Sequence, residues 1–178
     1  MKEGIVRPTE SAPPEFGPLS EQPRDTRLVE GDGFSLFAPA QFQQSTRPGP
    51  GDVPMVVLGT PSQEAGGVVE VVAFREADAA AGVQEQMAAL AASKTDLGGV
   101  TDLRREVVEW PGAADAVLVR WSEPTNTAEG AITQTFAQLA VEVGDGSLVT
   151  VVAVAPEEEF DAAGVFGVLR TLNVGASA

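Results

Sequence analysis

The stretch Ile132-Thr133-Gln134-Thr135-Phe136-Ala137-Gln138-Leu139-Ala140-Val141-Glu142-Val143, followed by Gly144-Asp145-Gly146 and then Leu148-Val149-Thr150-Val151-Val152-Ala153-Val154, decides the fold class. Side chains alternate across a strand with a period of two. Thr133, Thr135, Ala137, Leu139 and Val141 therefore share one face, and Gln134, Gln138 and Glu142 share the other. Gly-Asp-Gly supplies the positive φ that a tight hairpin turn needs. Leu148 to Val154 is then the antiparallel return strand.

Working outward, the residues on either side repeat the pattern. Arg104 to Trp110 predicts a strand with Val108 and Trp110 on one face, and Val117, Val119 and Trp121 share a face in the next, which Pro124 is expected to end. Met55 to Gly59 and Val68 to Phe74 are apolar runs bounded by Gly and Pro, read as buried strands. Phe34 to Phe37 is a short strand stopped by Pro39. Residues 40–54 read as a turn-rich connection.

Two helices are predicted. Val83, Met87, Leu90 and Lys94 recur at helical spacing in an Ala-rich segment from about Asp78 to Lys94. Ala162, Val165, Phe166, Leu169 and Leu172 recur likewise after Pro156, with Glu157, Glu158 and Glu159 placed to complement the helix dipole. Antiparallel strands joined by short turns, with helices packed on them, make an α+β domain. The expectation is a sheet of about six to seven strands with two helices.

Five of the 13 prolines lie in residues 1–26, which have no apolar periodicity. They read as a disordered acidic arm before a single domain at 27–178. The chain of 178 residues suits that division.

Charge and composition exclude more than they identify. The net charge of −15 opposes nucleic acid and favours a monomer. Without His or Cys, the commonest general base, thiolate nucleophiles and the usual transition-metal ligands are all missing. Lysine occurs only at positions 2 and 94, and no phosphate-binding glycine motif or Gly-x-Ser-x-Gly is present. No apolar segment is long enough to span a bilayer, and none follows Met1 and Lys2 as an export signal would. The sequence as written reads as cytoplasmic. The alternative is an exported protein or lipoprotein whose leader has been replaced.

The candidate contact for a partner is the 40–54 connection. Phe42 supplies an apolar group and Arg47 a rare positive charge, a pairing that interface hot spots favour. The competing reading tucks Phe42 onto the sheet. Trp110 and Trp121 read as packing residues, with ligand stacking as the sharper alternative.

Gly33-Phe34-Ser35-Leu36-Phe37-Ala38-Pro39 followed by Phe42, and the closing Phe160…Val165-Phe166…Leu169-Arg170-Thr171-Leu172, resemble the PsbP-like fold. That family includes LpqN-type lipoproteins and DcrB-related proteins. The resemblance spans residues 31–174. It implies an α/β/α sandwich, generally without catalysis, that binds proteins or cell-envelope components. The lipobox Cys of the lipoproteins is absent here. The expected function is therefore a non-enzymatic protein-interaction module without cofactor or metal, whose partner is another protein. A carrier of an apolar ligand or lipid and a carboxylate-dependent hydrolase are the alternatives.

Overall fold

The Gly144–Gly146 turn closes its hairpin as the spacing predicts, with Glu142 opposite Leu148 across it. The computed structural model describes residues 17–19, 21–62, 66–79 and 81–174. Its strands are Thr26–Gly31 (β1), Phe34–Pro39 (β2), Gln43–Pro48 (β3), Pro54–Pro61 (β4), Val68–Glu76 (β5), Thr101–Val107 (β6), Ala113–Thr127 (β7), Gly130–Val143 (β8), Leu148–Pro156 (β9) and Asn173–Val174 (β10). The helices are Val83–Leu97 (α1) and Val165–Leu169 (α2).

Seven strands form one antiparallel sheet in the order β3-β4-β5-β9-β8-β7-β6, and three form a second in the order β1-β2-β10. The period of two sorts the large sheet's side chains between two cores. Ala137, Leu139 and Val141 of β8 face the small sheet and α2, where they meet Leu36, Ala38, Val165 and Leu169. Ala140 and Phe136 face the other way, toward Val83 and Met87 of α1, together with Val117, Val119 and Trp121 of β7. The central strands of the large sheet are thus covered on both sides, which is why β9 is apolar except for Thr150. The polar residues that alternate on the α1 face find partners there. Glu142 Oε1 accepts from the Val83 amide at 3.1 Å, which caps the start of α1 where Gly82 offers no side chain.

The architecture is mostly β, and this corrects the expected sandwich in several places. One outer layer is a helix, but the other is a three-stranded sheet with only a short helix beside it. β1 was not expected. It pairs with β2 through Asp32-Gly33, a sequence suited to a hairpin turn, with Val29 as its one fully buried residue. The 40–54 connection is not a loop: β3 runs through it as an edge strand of the large sheet, in register with β4. Pro124 does not end β7, which continues to Thr127. β6 stops pairing at Ser122, so beyond that point β7 has one unpaired side, where proline is tolerated. The last helix is only five residues long. Pro156 remains in β9, residues 157–164 form successive turns, and Gly164 at φ +78° holds a left-handed conformation that interrupts any continuous helix. Glu157–Glu159 therefore do not sit on a helix N-terminus.

Much of the expected N-terminal arm, residues 1–16 and 20, lies outside the described residues. Gly17–Leu19 lies on the domain: the Leu19 amide donates to Arg170 O at 2.9 Å, and Arg170 Nε donates to Gly17 O at 2.8 Å.

One polar cluster joins the two sheets. Asp145 Oδ1 accepts from the Ser147 hydroxyl at 2.6 Å and from its amide at 2.8 Å. Arg75 of β5 donates Nε to Ser147 Oγ at 3.2 Å, and its other nitrogens reach Asp145 at 3.5 Å and Asp32 at 3.3 Å. The β8–β9 turn is thereby linked to the β1–β2 turn. Gly33 holds φ +80°, a left-handed conformation in which an L side chain would be strained, and a Cβ there would also press on the Arg75 side chain at 2.8 Å.

The Ser147 hydroxyl and amide, and then Arg75, hold the Asp145 carboxyl below the usual aspartate range. A folded-state pKa below the unfolded one adds stability above the unfolded value of about 3.9, and that stability is lost as pH falls through the folded value. Asp145→Asn is therefore expected to lose less stability than the parent as pH drops below about 4. Urea unfolding at a series of acidic pH values checks this, and parallel curves for the two proteins would contradict it.

Candidate functional site

Phe42 and Arg47 are not presented together. Phe42 is 3% exposed and packs in the core between the two sheets, while its carbonyl accepts from Arg27 Nη2 at 2.9 Å. Arg47 lies on exposed β3 and pairs with Glu70 at 3.1 Å. A surface pair of that kind contributes about 0–1 kcal/mol.

The tryptophans are both buried, and each indole N–H is satisfied. Trp110 donates to Leu172 O at 3.0 Å. Trp121 donates to Glu123 Oε1 at 2.6 Å, and its ring stacks on Phe136 with centroids 5.1 Å apart. Lys94 lies 4.8 Å from the Trp121 ring centroid and bonds the same Glu123 oxygen at 2.9 Å. The amphipathic face of α1 is thus locked onto the sheet by a closed cluster with every group partnered. It is packing, not a ligand site.

Among the described residues, the outer face of the small sheet is only partly covered. The strand period turns Val29 of β1 and Phe34, Leu36 and Ala38 of β2 into the core. It necessarily turns Leu28 and Phe37 outward, and the register sets them directly opposite each other. Leu28 remains 49% exposed. The 17–19 segment, fastened through Arg170, brings Leu19 to the same place. Thr171 anchors the far side: its hydroxyl donates to Val168 O at 2.7 Å and accepts the Phe37 amide at 2.8 Å.

These elements frame an open cleft of about 460 Å³ lined by Leu19, Leu28, Phe37 and Leu172, with Glu21 and Arg170 among the polar groups. Across Pro18 and Pro111 it continues into a second groove of about 710 Å³ beneath Val107, which is 60% exposed, with Glu106 and Glu109 on its wall. The combined surface is apolar along its floor and predominantly acidic around its rim. Sequence reading missed it because β1 was unread. The legible signal was Leu28 in an alternating stretch ahead of Asp32-Gly33.

Among the described residues, no helix is long and apolar enough to cross a membrane, and no group of three or more Asp or Glu side chains is placed to hold a metal ion. No protein-family model matches the chain, and no curated protein matches it. Nine chains of solved structures do match. Among them is the crystal structure of LpqN, involved in cell envelope biogenesis of Mycobacterium tuberculosis, at 15% identity over 86% of this chain and 80% of that one, with a TM-score of 0.42. This is a distant, LpqN-like likeness and does not extend to PsbP in particular.

Proposed function

We propose that the domain is a non-enzymatic interaction module, and that the outer face of the small sheet receives a protein segment presenting an apolar side chain flanked by basic residues. The observation that carries this reading is the Leu28–Phe37 cross-strand pair, with Leu28 49% exposed and Phe37 half-buried on a sheet face that the described residues cover only in part. Exposed apolar surface rimmed by polar groups is the usual mark of a docking site. The carboxylates of Glu21, Glu106 and Glu109 favour a basic partner, and the net charge of −15 disfavours a second copy of the same chain. An apolar-ligand carrier would bury its cargo in an enclosed cavity. An open cleft suits a protein side chain better.

The test is affinity capture from native lysate with the parent protein, Leu28→Glu and Leu97→Glu, followed by titration of the identified partner. Leu97 is 63% exposed at the far end of α1 and serves as the control. Loss of an anchoring side chain at a hot spot costs about 2 kcal/mol or more, about thirtyfold in Kd. Leu28→Glu is expected to show that loss and Leu97→Glu to bind like the parent. Binding should also weaken as salt rises, because rim charges act through a screened field. Equal binding by all three proteins would refute the reading.

A further inference from the structure

A second site lies elsewhere on the domain, where β6, β7 and the turns after β9 meet. Arg104 and Arg120 stand directly opposite each other across the β6–β7 pair. Like charges at opposed positions destabilise a sheet. Among the described residues neither guanidinium has a carboxylate within ion-pair distance, on a protein with 26 acids. Arg120 is held in place without a hydrogen bond: its guanidinium carbon lies 5.0 Å from the Phe160 ring centroid and 4.9 Å from that of Phe166. Cation–π contacts of this kind hold the guanidinium without using its N–H groups, which stay free to bind.

Both arginines line a recess of about 300 Å³. Set into it are Ser122 and Thr135, 4% and 5% exposed, whose hydroxyls share a single hydrogen bond of 2.8 Å. Two hydroxyls carry two protons and that bond uses one, so one buried O–H remains without an acceptor among the described residues. A buried donor left so is costly unless something accepts from it. Asp102, Glu157 and Asp161 complete the wall. Asp102 is placed by the β-bulge between Thr101 and Arg104, with φ at 56°.

We infer that this recess binds a small zwitterion. Its oxyanion would sit between Arg104 and Arg120 and accept the spare hydroxyl proton, and its ammonium would face Asp102, Glu157 and Asp161. The oxyanion relieves the opposed arginines and satisfies the orphan donor. A plain anion would meet three carboxylates. The zwitterion alone answers both halves of the site. The chemistry is shared by free α-amino acids and by phosphodiester-ethanolamine headgroups.

Calorimetric titration with alanine and with glycerophosphoethanolamine separates these sources, and acetate, inorganic phosphate and ethanolamine supply the halves. At least one zwitterion is expected to bind about tenfold more tightly than any half. Arg120→Met keeps an apolar stem on the two phenylalanines and should lower that affinity about tenfold or more. Asp161→Asn, at an exposed position, tests the ammonium side by the same reading if Arg120→Met melts early. No binding of either zwitterion at millimolar concentration would overturn the inference, as would equal binding of phosphate alone. An Asp161→Asn variant and a folded Arg120→Met variant that both bind like the parent would do the same.

Discussion

Trp110→Ala is expected to cost about 3–5 kcal/mol, which for a chain of this size lowers Tm by about 6–20 °C. The indole fills the core between the sheets, 6% exposed, on the segment that leaves β6. Its N–H is a direct tie to Leu172, the residue just before β10. The substitution therefore opens a cavity and removes the donor that Leu172 accepts. Trp110→Phe separates the two effects: most of the volume remains, and the loss should fall to about 1–3 kcal/mol, the cost of a buried group left unpaired. Thermal unfolding of both variants provides the check. A Tm unchanged by Trp110→Ala would mean that the β6 end and β10 do not share this core.

Phe42→Ala should cost a similar amount, about 3–5 kcal/mol. Phe42 comes just before β3 and belongs to the same buried core as Leu58, Val29 and Ala38, which draws on both sheets. Arg47→Glu, five residues on, removes only an exposed pair and should change stability by less than about 1 kcal/mol. Urea titration of the two single variants decides between a core residue and a surface anchor. A Phe42→Ala protein as stable as the parent would restore the surface reading.

The contrast between those two residues shows what the sequence could and could not reveal. β8 was readable because Ala137, Leu139 and Val141 alternate with the polar Gln138 and Glu142, a period of two that the structure bears out by turning the first set into one core and Ala140 toward α1. β3 was not, since all six of its residues are exposed and a period of two needs a buried side to be visible. β1 failed for a related reason: Val29 is its one buried residue, and the strand adjoins a proline-rich stretch. The closing segment did carry helical spacing from Ala162 to Leu172. Spacing alone, however, cannot distinguish a helix from turns that bury Phe160 and Val165 on one side of a left-handed glycine. The α1 stripe was correct from Val83 to Lys94, with Lys94 serving Glu123 instead of the core.

Neither candidate site was legible, because both depend on register. Leu28 and Phe37 become neighbours only once β1 pairs with β2, and Arg104 meets Arg120 only after the bulge in β6 has shifted the pairing. Residue types so ordinary acquire meaning only from what stands opposite them. Motif searching had nothing to find.

The central claim is that a partner docks on the outer face of the small sheet. Photocrosslinking tests it most directly, with a benzophenone side chain placed at position 28, at position 97 or at position 45 on the exposed edge strand β3. The account predicts a crosslink to the captured partner from position 28 and none from positions 97 or 45. Crosslinks from position 45 or 97, with none from position 28, would contradict it.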